Sequence, residues 1–284
     1  MTTLQHKIDF AIILSVKNAN PNGDPLNGNR PRTNYDGVGE ISDVCLKRKL
    51  RDRLQETREA IFVQSDDRKS DEFHSLAERA KGTLKELGGP QTVDLACKQW
   101  FDVRAFGQLF AIKSDKAKKK KGDESEEGGS DTGISVGIRG PVTIQSAFSL
   151  EPVEITSTQI TKSVSGEGDG SKRSSDTMGM KHRVEKGVYV AFGSMNPQLA
   201  ERTGFSDDDA AKIRAILPKL FENDASSARP EGSMEVLKVV WWQHPTKYGV
   251  CSSAKVHRSL TVTNAGEIAV SDIDGLTPAI INGF

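Results

Sequence analysis

Three stretches of this chain carry side chains whose types and spacing suit the recognition of phosphate. The first is NANPNGDPLNGNRPR, Asn18 to Arg32. Asn and Gly tolerate positive φ and Pro fixes its own, so the backbone of such a segment sets its own shape. Asn18 and Asn20 offer amide donors and acceptors, and Arg30 and Arg32 offer forked guanidinium groups that match phosphate oxygens. The same composition also describes a turn-rich connection that packs on itself, and composition leaves both readings open. A Walker loop is excluded, because the Gly-Lys-Ser/Thr ending is missing.

The second stretch is the helix-forming SDVCLKRKLRDRL, Ser42 to Leu54. On a helical wheel Leu46, Leu50 and Leu54 share one side, and Lys47, Arg48 and Arg51 gather on the adjoining sector. Only Asp52 interrupts the acid-free run from Val44 to Leu54. A solvated charged face is the commoner meaning of such a run. Beside an arginine-bearing loop, this one is expected to form a phosphate track. The third stretch is SKRSSDTMGMKHR, Ser171 to Arg183, where Lys172, Arg173, Lys181 and Arg183 can meet phosphates in the binding reading and Met178 or Met180 forms an apolar tip suited to wedging between bases. Methionines folded back as core filler are the competing expectation from spacing.

Catalytic chemistry finds little support. The 5 histidines are scattered, without HExxH, a deaminase pattern or a nucleophile elbow. His182 alone sits where a general base for RNA cleavage could stand. Asp207, Asp208 and Asp209 follow Ser206 and read as the acidic start of a helix rather than as a metal site. No pattern calls for a cofactor or a metal.

Around these stretches the chain must supply elements to hold them. Ile8, Phe10, Ile12, Leu14 and Val16 alternate with polar residues including Asp9 and predict a half-buried strand. A long loop runs from Asn18 to Glu40, and Ser42 or Asp43 caps a helix to about Arg58. Asp71 to Leu87 predicts a second helix. Strands are predicted at Val103–Ile112, Val142–Leu150, Glu154–Val164, Val188–Phe192 and Met234–Gln243, with a weaker one at Arg258–Thr263. A helix starts at Ser206. Trp241 and Trp242 alternate on a strand, so at most one is expected to face the core. Stripped of insertions, the order is strand, helix, strand, strand, helix, strand, the split βαβ pattern of an α+β, ferredoxin-like or RNA-recognition-motif fold. The block SDKAKKKKGDESEEGGSDTG is expected to be a flexible charged loop over 113–133.

The 284 residues balance 39 Lys and Arg against 39 Asp and Glu. Neutrality argues against indiscriminate coating of nucleic acid, while leaving room for a local basic groove. The 3 cysteines have no paired spacing, so neither a disulfide framework nor a zinc knuckle is expected. No run is long enough to span a membrane, and the first residues lack a signal-peptide pattern, so the expectation is a cytoplasmic protein.

Four ordered blocks are similar to a known family: SVKNANPNGDPLNGNRPRTNYDGVGEISDVCLKRKLRDRLQ, FDVRAFGQLFA, VGIRGPVTIQSAFSLEPVEIT and TMGMKHRVEKGVYVAFGSMNP. Together they resemble the CRISPR-associated Cascade backbone subunits of the RAMP superfamily, in particular the type I-C (Csd/Csh-like) group, from Lys7 to about Pro197. The resemblance implies a palm with inserted finger and thumb segments in one elaborated domain: an RNA-binding loop at 18–40, a helical finger insertion at 64–100 and a thumb at 160–186. It implies a non-catalytic subunit that polymerises head to tail along a CRISPR RNA and holds the guide for pairing with target DNA. The implied partners are the crRNA, target DNA, copies of the same chain, the crRNA-processing and large subunits, and a recruited helicase-nuclease. Carried onto this sequence, the RNA-binding residues are Asn18, Asn20, Arg30, Arg32, Lys47, Arg48, Arg51, Lys162, Met178, Lys181 and His182. The alternative within the superfamily is an endoribonuclease that processes CRISPR RNA with His182 as base.

Overall fold

The computed structural model describes residues 2–84, 89, 91–112, 134–161 and 178–284. The chain opens with β1 (Ile8–Ala19), two short strands β2 (Gly23–Asp24) and β3 (Arg30–Pro31), then β4 (Val38–Ile41) and α1 (Asp43–Glu56). Helices α2 (Leu76–Thr83), α3 (Thr92–Gln99) and α4 (Phe101–Phe106) precede the hairpin of β5 (Gly107–Ile112) and β6 (Ile134–Arg139). Next come β7 (Val142–Ile144), β8 (Ala147–Pro152), β9 (Ile155–Thr161) and the long β10 (Met178–Met195). Helices α5 (Pro197–Thr203) and α6 (Asp207–Ile216) lead to β11 (Met234–Gln243), followed by α7 (Ser253–Arg258), β12 (Leu260–Val262), β13 (Ile268–Val270) and β14 (Pro278–Asn282). Among the described residues no helix is long and apolar enough to cross a membrane.

The main sheet is antiparallel, in the order β14-β11-β1-β10-β8-β4, with β7 and β9 also pairing with β10. Its inner strands β11-β1-β10-β8, with α1 between β1 and β8 in sequence and α6 between β10 and β11, form the expected split βαβ palm. Ile8, Phe10, Ile12, Leu14 and Val16 turn to the helical side, where Leu46, Leu50 and Leu54 of α1 and Ala210, Ile213 and Ile216 of α6 complete one buried cluster.

The far side of β1 corrects the expectation of a half-buried strand. Ala11 and Ile13 are buried there with Val240, Trp242, Val256 and Leu260, because α7 and the β12–β13 hairpin fold over that face. The tryptophans are both buried for the same reason: Trp241 stacks on Phe10 in the helical-side cluster with ring centroids 5.7 Å apart, and Trp242 enters the opposite one. A third cluster is built from Phe62, Ala80, Ala96, Trp100, Val103, Phe110 and Ile138, so the α2–α3 region and the β5–β6 hairpin share a core of their own.

Several local expectations shift. Val103–Phe106 is helical, since Phe101 and Ala105 reach the main cluster while Val103 reaches the third one, a spacing that one strand face cannot provide. Gly107 then ends the helix at φ +81°, with the Ile138 carbonyl oxygen 2.3 Å from where a Cβ would stand. Arg258 ends α7 instead of opening a strand. The predicted strand at Val188–Phe192 is the inner part of the much longer β10. Ser206 and Asp209 form a reciprocal capping box, and the Asp209 carboxylate also receives Arg104 Nη2 at 2.8 Å. The charged block at 113–133 and Lys162 lie outside the described residues.

Candidate nucleic-acid interface

The Asn-rich loop is shaped mostly by its own side chains. Asn18 stands at φ +54°, a conformation Asn tolerates and β-branched residues do not. There the alternation of β1 breaks, because Val16 and Ala19, three positions apart, bury in the same cluster. Asn20 is buried and donates from Nδ2 to the Asn29 carbonyl at 2.7 Å, which holds the loop closed. Asn22 Oδ1 accepts from the Ser42 backbone N–H at 2.9 Å, tying the loop to the residue whose hydroxyl caps α1. Arg32 sits 3.5 Å from Asp24 within the loop.

The basic helix departs from the expected phosphate track. Lys47 pairs with Asp43 at 3.0 Å, and Arg48 lies 3.1 Å from Asp52 and 3.4 Å from Asp67. Arg51 donates from Nε to Asp102 at 2.8 Å and lies over the Phe106 ring, with its guanidinium carbon 5.2 Å from the centroid. Asp102 is itself buried and also accepts the backbone N–H groups of Phe62 and Val63. Arg51 is therefore a joint between α1 and α4 and not a free cation. Lys49 and Arg53 turn inward too, to Asp224 and to the Glu222 carbonyl. Scarcity of acids along the helix sequence did not mean scarcity in space. Distant segments supply Asp67, Asp102 and Asp224.

What the fold does bring together is Arg30 and His182. Arg30 Nη1 donates to Ser157 Oγ at 2.9 Å, and His182 Nδ1 lies 2.8 Å from the same oxygen. Ser157 and His182 are directly opposite in the β9–β10 ladder, with Gln159 opposite Met180 and Thr161 opposite Met178. Strand alternation puts Met178, Met180 and His182 on one face of this hairpin and Lys181 on the other. Met178 and Met180 are 57% and 55% exposed, so the core-filler reading fails for both. The result is a projecting two-stranded arm with an apolar outer part, a hydroxyl-rich partner strand and an Arg–Ser–His cluster nearer its root.

Two features were not legible in the residue types. Ser157 looked like one hydroxyl among many until the register placed it. The other is a buried polar cluster: His244 Nε2 lies 2.8 Å from Asp9 Oδ2, His257 Nε2 lies 3.6 Å from Asp9 Oδ1, and Lys7 Nζ stands 3.4 Å from Asp9. Burial pushes the Asp9 carboxyl up, but the hydrogen bond with His244, the neighbouring His257 and Ser253 and the charge of Lys7 outweigh it and hold the group below the usual carboxylate range. Asp9 and His244 are fully enclosed, so this cluster fastens the C-terminal segment to the sheet and offers no access to substrate. The sequence signal was the carboxylate itself, set within an apolar strand. Burial likewise pushes the Cys97 thiol up to about 11, which keeps it protonated and inert.

The fold is thus a split βαβ palm carrying a long exposed arm, with a basic and hydroxyl-bearing cluster at their junction. Residues 6–276 match the family described as CRISPR-associated protein Cas7, and the chain belongs to that family. A relative of the same description from Haloferax volcanii is 28% identical over 235 residues, covering 80% of this chain and 67% of the relative. Among solved structures, a CRISPR RNA-guided surveillance complex in a pre-nicking state aligns at 15% identity and TM-score 0.46, over 83% of this chain and 78% of the other. A second surveillance complex aligns at 16% identity and TM-score 0.41, over 83% and 68%.

Proposed function

We propose that this chain is a non-catalytic, guide-RNA-binding backbone subunit of a type I-C CRISPR surveillance complex. Several copies follow one another along the crRNA and hold it for pairing with target DNA, beside the crRNA-processing subunit, the large subunit and the recruited helicase-nuclease. Cas7 family membership supports the general role. Within the chain, the observation that supports the reading is the shared hydrogen bonding of Arg30 and His182 at Ser157, which joins the Asn-rich loop to the β9–β10 arm. The strand of RNA crosses that junction, its phosphates met by Arg30, His182 and the outward-facing Lys181, with Met178 or Met180 pressing between bases. Residues 64–100 act as the finger. Asn20 and Arg51 drop out of the RNA-binding set, Arg32, Lys47 and Arg48 contribute only by exchanging a carboxylate for a phosphate, and Asn18 contributes chiefly by bending β1.

The test is titration of purified protein with labelled repeat–spacer RNAs of different spacer sequence, with the same mixtures imaged by electron microscopy. The reading expects similar affinity for every spacer, steep salt dependence and extended multi-copy particles that lengthen with the RNA. Arg30→Ala weakens binding for all spacers alike. Cleavage of the RNA that vanishes in His182→Ala would overturn the non-catalytic role. Binding to one short motif by a single copy would overturn the backbone role.

A further inference from the structure

The helical side of the palm holds a small slot that the RNA-binding reading leaves unused. It measures about 150 Å³ and lies between α6 and the adjoining ends of β1 and β11. Asp207, Ala210, Ala211 and Arg214 form one wall, and Trp241 and Gln243 belong to the other. The alanines open the space, because their side chains are too short to fill it. Asp207 and Arg214 stand two helical turns apart, about 10 Å at the usual rise, so the two ends carry opposite charges. The slot is remote from the arm: Ile8 beside it pairs with Met195, whereas Ala19 near the arm pairs with Val184.

The acidic end is accounted for within the chain. Asp207 sits in the first turn of α6, where the helix dipole favours a carboxylate, and its Oδ1 accepts the Gln5 backbone N–H at 3.2 Å. His6, the remaining titratable group of the slot, turns its Nδ1 to the His244 carbonyl at 3.0 Å. The basic end is not accounted for. Arg214 is part-exposed, and its guanidinium carbon lies over the Trp241 ring, 5.7 Å from the centroid. It makes no hydrogen bond or ion pair among the described residues. Trp241 is 3% exposed, yet its indole N–H meets no acceptor, which a buried indole ordinarily has. Both groups donate and neither accepts, so this end lacks an anionic oxygen.

We infer that the slot is a docking point for a partner polypeptide, whose Asp or Glu carboxylate binds Arg214 beside the Trp241 indole. The occupant follows from size and charge. The slot is smaller than the roughly 300–1,000 Å³ of small-molecule sites, so it takes one side chain and not a nucleotide. A nucleic-acid strand is charged at every unit, and laid along the slot it would set phosphates against Asp207 as well as Arg214. A polypeptide can place an acid at one end and a basic residue at the other. The guanidinium, already laid on the ring, loses little freedom when the carboxylate arrives.

The experiment follows the indole N–H signals of the isotope-labelled chain by NMR, with Trp241 assigned through its contact with the Phe10 ring. The probes are a capped Ala/Gln peptide with one lysine and one glutamate two helical turns apart, the same peptide with glutamine for glutamate, and a single-stranded RNA of mixed sequence. The glutamate peptide is expected to move the Trp241 signal saturably, and the glutamine peptide to bind roughly tenfold more weakly. Arg214→Gln abolishes the response. So does Ala211→Leu, which fills the slot with a good helix former, leaves every charge in place and stays readable should the first variant misfold. An unchanged response in either folded variant overturns the slot as the site. Equal binding of the two peptides overturns the carboxylate. A response to RNA that Ala211→Leu removes overturns the polypeptide. A Trp241 signal that moves with protein concentration alone overturns a separate partner in favour of a second copy. Silence with every probe overturns the docking point and leaves the RNA-binding reading standing.

Discussion

Arg30 and His182 share one hydrogen-bonding partner, the Oγ of Ser157, at 2.9 and 2.8 Å. This hydroxyl couples a loop near the start of the chain to an arm formed much later, and it orients two groups that would otherwise be mobile. Because the contact is exposed, its contribution to stability is small while its contribution to geometry is large. Ser157→Ala is therefore expected to change the free energy of unfolding by under about 1 kcal/mol, while weakening RNA binding in the same direction as Arg30→Ala. Denaturant melts paired with RNA titrations check this. A Ser157→Ala protein with wild-type affinity would show that the junction does not position the two groups.

The two arginines of α1 separate structural from surface charge. Arg51→Ala leaves buried Asp102 without its cation and is expected to cost about 3 kcal/mol, at the lower end for breaking a buried pair because Asp102 retains two backbone N–H bonds. Arg48→Ala, whose partners include the exposed Asp67, is expected to cost less than about 1 kcal/mol. Equal losses in urea unfolding would contradict the assignment of Arg51 as a joint.

Asp9 predicts an acid limb in stability. Its folded-state carboxyl titrates below the unfolded value, so its contribution is complete above about pH 4 and disappears as pH falls through the lowered folded value. Asp9→Asn is expected to be less stable than wild type at pH 7, and to lose less of its melting temperature between pH 5 and acid conditions. Thermal melts across that range test it, and parallel acid limbs for the two proteins would rule Asp9 out.

The kink at Asn18 gives a test of backbone conformation. Asn18→Gly retains access to φ +54° and is expected to stay within about 1 kcal/mol of wild type. Asn18→Val is expected to lose about 1–2 kcal/mol and to loosen the root of the arm. Similar stabilities for the two variants would mean that the turn does not depend on this residue.

The palm was legible because its signals are local. Alternation in Ile8–Val16, the Ser42 cap before a leucine stripe, Ser206 before three aspartates and the run Met234–Gln243 each state their element within a few residues, and their order leaves few topologies. Met178 and Met180 were not legible in this way, since spacing favoured core filler; only the structure showed them exposed, on the face of His182 and with Lys181 on the other. The charge reading of α1 failed because electrostatic partners are chosen in three dimensions. Asp67, Asp102 and Asp224 lie far along the chain, and nothing in the helix announces them. Burial of both faces of β1 depended on a C-terminal segment whose own hydrophobic signals are weak, and it made Asp9, His244 and His257 one cluster out of residues that look scattered. Sequence alone determined the order of the palm's strands and helices, since hydrophobic period and capping act over one or two turns. Tertiary structure alone decided which cations remain free to meet an anion, since that depends on which distant carboxylates packing brings within reach.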